Sequence, residues 1–165
     1  INGGAVMPAW YDIRRPDIDA APDIDGIRRS VEYLHQLVAT ETVSGLPAAA
    51  VLVAGFSQGG VIALHAGLTH PEPLGGVLAL STYLALPEAL SREMPPANRC
   101  VPVFLAHGEA DPVVPFALAE AARERLTGLG CEVEFHAYPM PHTVSLDEVA
   151  NIRAWLHARL VSHLS

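Results

Sequence analysis

Hydrophobic positions along this chain change their period several times, and each change marks an element. Ile24, Ile27, Val31, Leu34 and Val38 recur every three or four residues, with Asp23 placed to cap the run and Gly45 to stop it. That spacing predicts a helix. Val51 to Ala54 is a short, wholly apolar run, as expected of a strand buried on both faces. The stretch from Gly59 to Leu68 continues as a helix, and Gly76 to Leu80 and Val101 to Ala106 repeat the buried-strand pattern. Between them, residues 82–100 carry Pro87, Pro95 and Pro96 and little periodicity, which predicts loop with at most one helical turn. Phe116 to Leu126 is amphipathic and closed by Gly128. Val133, Phe135 and Ala137 then alternate with Glu132, Glu134 and His136, a period of two that fits an edge strand with one wet face. Ser145 and Glu148 have capping-box spacing, and Val149, Ile152, Leu156 and Leu160 stripe a final helix. Ile1 to Pro22, rich in Gly, Pro and Asp, reads as loop. Four strands alternating with helices predict an α/β fold with a mostly parallel sheet flanked by helices. At 165 residues with no linker-like stretch, residues 1–165 are expected to form one domain.

Composition narrows the function classes. The formal net charge is −8, and the ten basic residues, all Arg, are scattered, so a nucleic-acid-binding patch is not expected. Cys100 and Cys131 lack the spacing of a zinc site, and two buried free thiols are the simpler expectation over a disulfide. No metal is called for. Pro47 to Leu68 carries no formal charge and is long enough to mimic a membrane span, but Gly55, Ser57, Gln58, Gly59 and Gly60 interrupt it with a turn. With no signal peptide visible, a cytoplasmic location without a transmembrane segment is the expectation.

The chemistry-bearing pattern is Gly55-Phe56-Ser57-Gln58-Gly59. G-x-S-x-G alone is common, but here it follows an apolar strand and opens a helix, the setting of a nucleophile elbow. The strained turn wants small neighbours, which Gly55 and Gly59 supply, and it lifts Ser57 above the strand end. The Gln58 N–H, at the helix start, is the natural first oxyanion donor. A serine nucleophile needs a base, and the base an orienting carboxylate. Glu109 and Asp111 both follow the 101–106 strand, and Asp111 in Asp-Pro-Val-Val-Pro is preferred. Of eight histidines, His35 and His157 fall on helices and His163 in the tail, where solvation is expected. His65 and His70 are too near Ser57 in sequence, His107 ends a strand as a structural histidine would, and His136 lies inside a strand. His142 alone sits in a loop after the last strand, free to swing over the sheet's edge.

Several stretches together resemble a known family. They are Asn2-Gly3-Gly4, Met7-Pro8-Ala9-Trp10-Tyr11-Asp12, Gly55-Phe56-Ser57-Gln58-Gly59-Gly60, Leu80-Ser81-Thr82-Tyr83, His107-Gly108-Glu109-Ala110-Asp111-Pro112-Val113-Val114 and Tyr138-Pro139-Met140-Pro141-His142. In this order they resemble bacterial carboxylesterases of the phospholipase/carboxylesterase family, which also holds the acyl-protein thioesterases. The resemblance implies an α/β-hydrolase fold, of which this chain is the C-terminal portion. It implies Ser57, Asp111 and His142 as nucleophile, acid and base, and esterase, lysophospholipase or thioesterase activity on a small acyl ester without a cofactor. Where the family usually has Gly before the catalytic His, this chain has Pro141. Roughly the first quarter of the family pattern, including the Leu-His-Gly-Leu-Gly stretch that supplies a second oxyanion donor, is not matched. Gly3 and Gly4 are the nearest substitutes in sequence. A site with one donor fewer is expected to turn over about 10²–10³ times more slowly, and a catalytically silent fragment is the rival expectation.

Trp10, Tyr83, Leu84, Val114 and Met140 are the candidates for an apolar acyl pocket. The strand 51–54, apolar and without a guarding charge, is expected at an edge of the sheet. Cover for it would come from a second copy in a homodimer, from a separate N-terminal piece, or from Ile1 to Pro22.

Overall fold

The computed structural model describes residues 8–13 and 22–162, with side chains as far as Arg159. Its elements are α1 (Ile24–Val43), β1 (Leu52–Phe56), α2 (Gln58–Thr69), β2 (Gly76–Leu80), α3 (Pro87–Glu93), β3 (Val103–Gly108), α4 (Phe116–Gly128), β4 (Val133–Tyr138) and α5 (Leu146–Ser162). Short 3₁₀ turns at Ala48–Ala50 and Pro96–Cys100 lead into β1 and β3. The four strands pair in chain order, β1-β2-β3-β4, and every pairing is parallel. This is the predicted sheet.

Alternation along the strands divides the core in two. Val53, Val77, Ala79, Val103 and Leu105 pack with Val38, Leu64, Leu68, Leu90 and Leu126 from helices α1 to α4. The residues between them, Leu78, Phe104 and Ala106, pack with Trp155 of α5, joined by Leu52, Leu80, Ile152 and Leu156. One face of the sheet therefore carries four helices and the other a single one. A third apolar cluster, with Tyr11, Ile27, Val61, Ile62, Tyr83 and Val114, sits apart from the strands.

Local signals are used as expected. Asp23 caps α1 by accepting the Gly26 N–H at 3.2 Å. The capping box closes reciprocally, Glu148 N–H donating to Ser145 Oγ (3.1 Å) and Ser145 N–H to Glu148 Oε2 (3.4 Å). Three expectations change. Residues 82–100 are more ordered than loop, since Pro87 at the start of α3 presets the helical φ and Leu90 is buried to anchor it. Cys131 is a buried free thiol but Cys100 is exposed, its thiol turned to the Ala97 carbonyl of its own 3₁₀ turn. His35 is half-buried rather than solvated, its Nε2–H donating to the Ala66 carbonyl across the α1–α2 contact. His157 is exposed as expected, and His163 lies outside the described residues.

The two sheet edges differ. β4 follows the expected alternation only at its start, Glu134 exposed and Phe135 half-buried under Arg123; further on His136, paired with Glu134 at 2.8 Å, is half-buried and stacked on Phe104 while Ala137 is exposed, because α5 covers that face. β1 is the other edge, with Ala54 and Phe56 exposed, and among the described residues no strand pairs with its outer side. Among the described residues no helix is long and apolar enough to cross a membrane.

Candidate active site

The C-terminal ends of the strands come together, and every sequence-selected polar residue is there. Ser57 follows β1 directly and adopts φ 54°, ψ −119°. A non-glycine residue at positive φ stores strain that its surroundings must hold. They do so by hydrogen bonds: Ser57 N–H donates to Leu80 O (2.9 Å), and Ser57 O accepts from Thr82 Oγ1 (2.7 Å) and from the Gly60 N–H (3.0 Å). No capping bond occupies the Ser57 side chain, so its hydroxyl is left available. The Gln58 N–H opens α2, where no intrahelical acceptor exists for it. The Gln58 side chain is tied instead to the Tyr11 carbonyl at 3.1 Å.

The small residues the turn needs are not quite those expected. A Cβ on Gly55 would lie 2.0 Å from the Gly59 carbonyl oxygen, so Gly55 is obligatory. One on Gly59 would meet nothing nearer than Trp10 Nε1 at 3.6 Å, which is ordinary contact. Gly60 carries the second constraint, because a Cβ there would strike the Thr82 side chain at 2.6 Å.

Asp111 and His142 stand on the loops after β3 and β4. His142 Nδ1 lies 2.7 Å from Asp111 Oδ2, and since the carboxylate accepts, Nδ1 carries the proton and Nε2 keeps its lone pair. Asp111 Oδ1 takes the Val113 and Val114 N–H groups at 2.8 and 2.9 Å. Burial by itself would raise the Asp111 pKa, but the bonds from His142, Val114 and Val113 and the His142 charge outweigh it and hold the group below the usual carboxylate range. Glu109, the alternative acid, is exposed and makes only a backbone bond to Tyr138 O. The two loops are stitched together by that bond and by Ala110 N–H to Met140 O. Gly108 permits the approach, because a Cβ there would lie 2.2 Å from the Met140 oxygen. His142 keeps its bond to Asp111 with Pro141 before it.

The third leg is looser. The His142 ring stands 4.7 Å, centroid to centroid, from that of Phe56, the residue before Ser57, yet no hydrogen bond joins Ser57 to His142 in this resting geometry. Catalytic contacts of this kind often tighten only when substrate is bound.

The acyl-pocket candidates separate. Tyr83 and Val114 are buried in the apolar cluster with Tyr11, and the two tyrosine hydroxyls lie 3.3 Å apart. Burial, then the Tyr83 contact, pushes the Tyr11 pKa up. Tyr83 and Leu84, with Pro87, Leu118 and Arg125, line a cavity of about 280 Å³ between α3 and α4. Trp10 is 43% exposed beside the elbow helix, and Met140 packs on the opposite face with Phe104 and Trp155. Gly3 and Gly4 lie outside the described residues. Among the described residues no cluster of His, Cys, Asp or Glu could hold a metal ion.

Sequence reasoning passed over Thr82 and the full use of His107. His107 is wholly buried, its Nε2 2.9 Å from the Val114 carbonyl and 3.4 Å from Asp111 Oδ2. Its place four residues before Asp111 was the available signal.

Comparison with known proteins follows the same lines. The family model described as phospholipase/carboxylesterase matches residues 1–160. The chain belongs to the phospholipase/carboxylesterase family. It is 39% identical to acyl-protein thioesterase 1 of Gibberella zeae, over 97% of this chain and 72% of that protein. With the enzyme of that name from Neurospora crassa the identity is 41%, over 96% and 68%. The crystal structure of Arabidopsis thaliana SOBER1 superposes with a TM-score of 0.89 at 31% identity, covering 96% of this chain and 77% of that one. The fold is thus α/β-hydrolase-like, and the family one of carboxylesterases and acyl-protein thioesterases, so the chain is a hydrolase of that class. Its narrower likeness to bacterial members is carried by the sequence motifs alone.

Proposed function

We propose that the chain hydrolyses acyl esters through Ser57, His142 and Asp111 by way of an acyl-enzyme. The observation that carries this reading is the 2.7 Å His142–Asp111 bond, set at the same strand ends as the strained Ser57 turn. His142 Nε2 takes the Ser57 proton as Oγ attacks the acyl carbonyl, and Asp111 stabilises the imidazolium that forms. The Gln58 N–H faces the developing oxyanion. The imidazolium then gives its proton to the leaving group, and the neutral ring activates the water that releases the acid. No step calls for a cofactor.

A second reading has specific support, since the relatives named above are acyl-protein thioesterases. A thiolate leaves more readily than an alkoxide, so a thioester depends less on protonation by His142. Matched acyl chains presented as p-nitrophenyl esters, alkyl esters and alkyl thioesters separate the readings. Oxygen-ester hydrolysis that falls about 10⁴-fold or more in Ser57→Ala supports the esterase. Turnover confined to thioesters favours the second reading, and turnover that survives Ser57→Ala removes both.

A further inference from the structure

The Asp111 carboxylate has four lone-pair directions, and three are filled by Val113 N–H, Val114 N–H and His142 Nδ1–H. The side chains of Asp111 and His107 are fully shielded from solvent, and His107 Nε2 lies 3.4 Å from the same Oδ2 that holds His142, in contact but not hydrogen-bonded to it. The tautomer follows from the next contact. Nε2 is also 2.9 Å from the Val114 carbonyl, which can only accept, so Nε2 carries the proton. Val114 thereby binds both partners, giving its N–H to Asp111 and its carbonyl to His107. Phe116 packs against the ring at 6.0 Å.

We propose that His107 is a positioning residue for the acid–base pair: its Nε2–H holds the Val114 carbonyl and so fixes the turn whose Val113 and Val114 N–H groups set how tightly Asp111 holds His142. This rests on the proposed triad. The residue type matters for charge. Lysine or arginine here would compete with the His142 imidazolium for Asp111, and an apolar residue would leave the Val114 carbonyl unpaired in the core. The charged groups facing His107 are Asp111 and His142. Burial first, and then repulsion from His142, keeps His107 harder to protonate than an ordinary histidine, although Val114 and Asp111 pull the other way. The carboxylate's charge is therefore reserved for the imidazolium formed during acyl transfer.

Two variants and two readouts test this. His107→Phe keeps the ring and removes the donor, whereas His107→Gln restores an N–H within reach of Val114 O. With the Val114 carbonyl released, the Val113 and Val114 N–H bonds to Asp111 loosen, so its carboxylate holds the His142 imidazolium more tightly but orients it less well. In His107→Phe the acid limb of the kcat/KM–pH profile should move up by about half a unit. Its kcat should fall about tenfold with KM little changed, and His107→Gln should recover most of both. The downfield proton resonance of the His142–Asp111 bond should shift in His107→Phe and return in His107→Gln, a readout that needs no turnover. In the unaltered chain, imidazole ¹⁵N spectra should keep His107 in the neutral Nε2–H form across the acid limb of the activity profile, which requires no variant to fold. A His107 that takes up charge in that range overturns the proposal, as do an unmoved limb and resonance in His107→Phe beside a merely lower Tm. A moved resonance in a chain without ester or thioester turnover upholds the proposal for the pair while rejecting the triad reading.

Discussion

The Ser57 turn and the Asp111–His142 pair are built by opposite means. At the turn the constraints are steric and local: Ser57 at φ 54° is fixed by Gly55 and Gly60, with Leu80 and Thr82 of the adjacent strand end as outside supports. It stands on an edge strand whose Phe56 is 38% exposed. The pair joins residues 31 apart in sequence and depends on two loops lying in register. Its carboxylate is shielded from solvent and its constraints are hydrogen bonds. The hard Gly55–Gly59 contact makes the first robust and readable, and only the Thr82 side of it comes from afar. Polar bonding between loops makes the second adjustable and dependent on the whole sheet.

The largest effect should come from the pair's charge. Asp111→Asn is expected to lower kcat about 10⁴-fold by misdirecting the His142 tautomer, while Glu109→Gln, altering an exposed side chain, should stay within about twofold. Steady-state kinetics on one p-nitrophenyl ester decide this, and comparable losses in both would break the assignment of the acid.

Next come the glycines, one on each side of the comparison. Gly55→Ala and Gly108→Ala each place a Cβ 2.0–2.2 Å from a carbonyl oxygen, so backbone must move. Each should cost about 2–4 kcal/mol in denaturant unfolding. Gly59→Ala, in the open first turn of α2, should be neutral or stabilise by up to about 1 kcal/mol. A destabilising Gly59→Ala would show that the elbow is constrained at more than Gly55 and Gly60.

The smallest effect separates the regions by pH. His65, buried on α2 behind the elbow, accepts the Leu86 N–H at 3.3 Å, and burial pushes its pKa down to about 4 from 6.5. The folded state thus binds fewer protons than the unfolded chain over that interval. Stability from this group is complete above about 6.5 and is lost as pH falls to about 4, by up to about 3 kcal/mol. Asp111, held below the usual carboxylate range, contributes above its unfolded value of 3.8 and loses that contribution only at lower pH. Unfolding free energies measured from pH 7 to 4 should decline in the native chain and decline less steeply in His65→Gln, where buried His107 keeps a share of the slope. An equal decline in both would assign the acid sensitivity elsewhere.

What could be read from the sequence was whatever is decided within a few residues. Period and punctuation placed four strands and four helices in order and left α3, anchored by buried Leu90, as loop. The capping box, the alternating start of β4 and the Ser57 turn are local in the same sense, because side-chain period and backbone sterics act over one turn or one pleat. Tertiary structure decided the rest. It placed Asp111 rather than Glu109 beside His142, because the turn after β3 buries the one and leaves the other exposed, and moved a glycine constraint from Gly59 to Gly60 because Thr82 of another strand end lies there. It sent Met140 to the opposite face from Tyr83, and gave His107 a carboxylate and a carbonyl to bridge. Those outcomes depend on contacts between distant segments, where composition and spacing carry no distance, and only the parallel register of the strands brings the loops together.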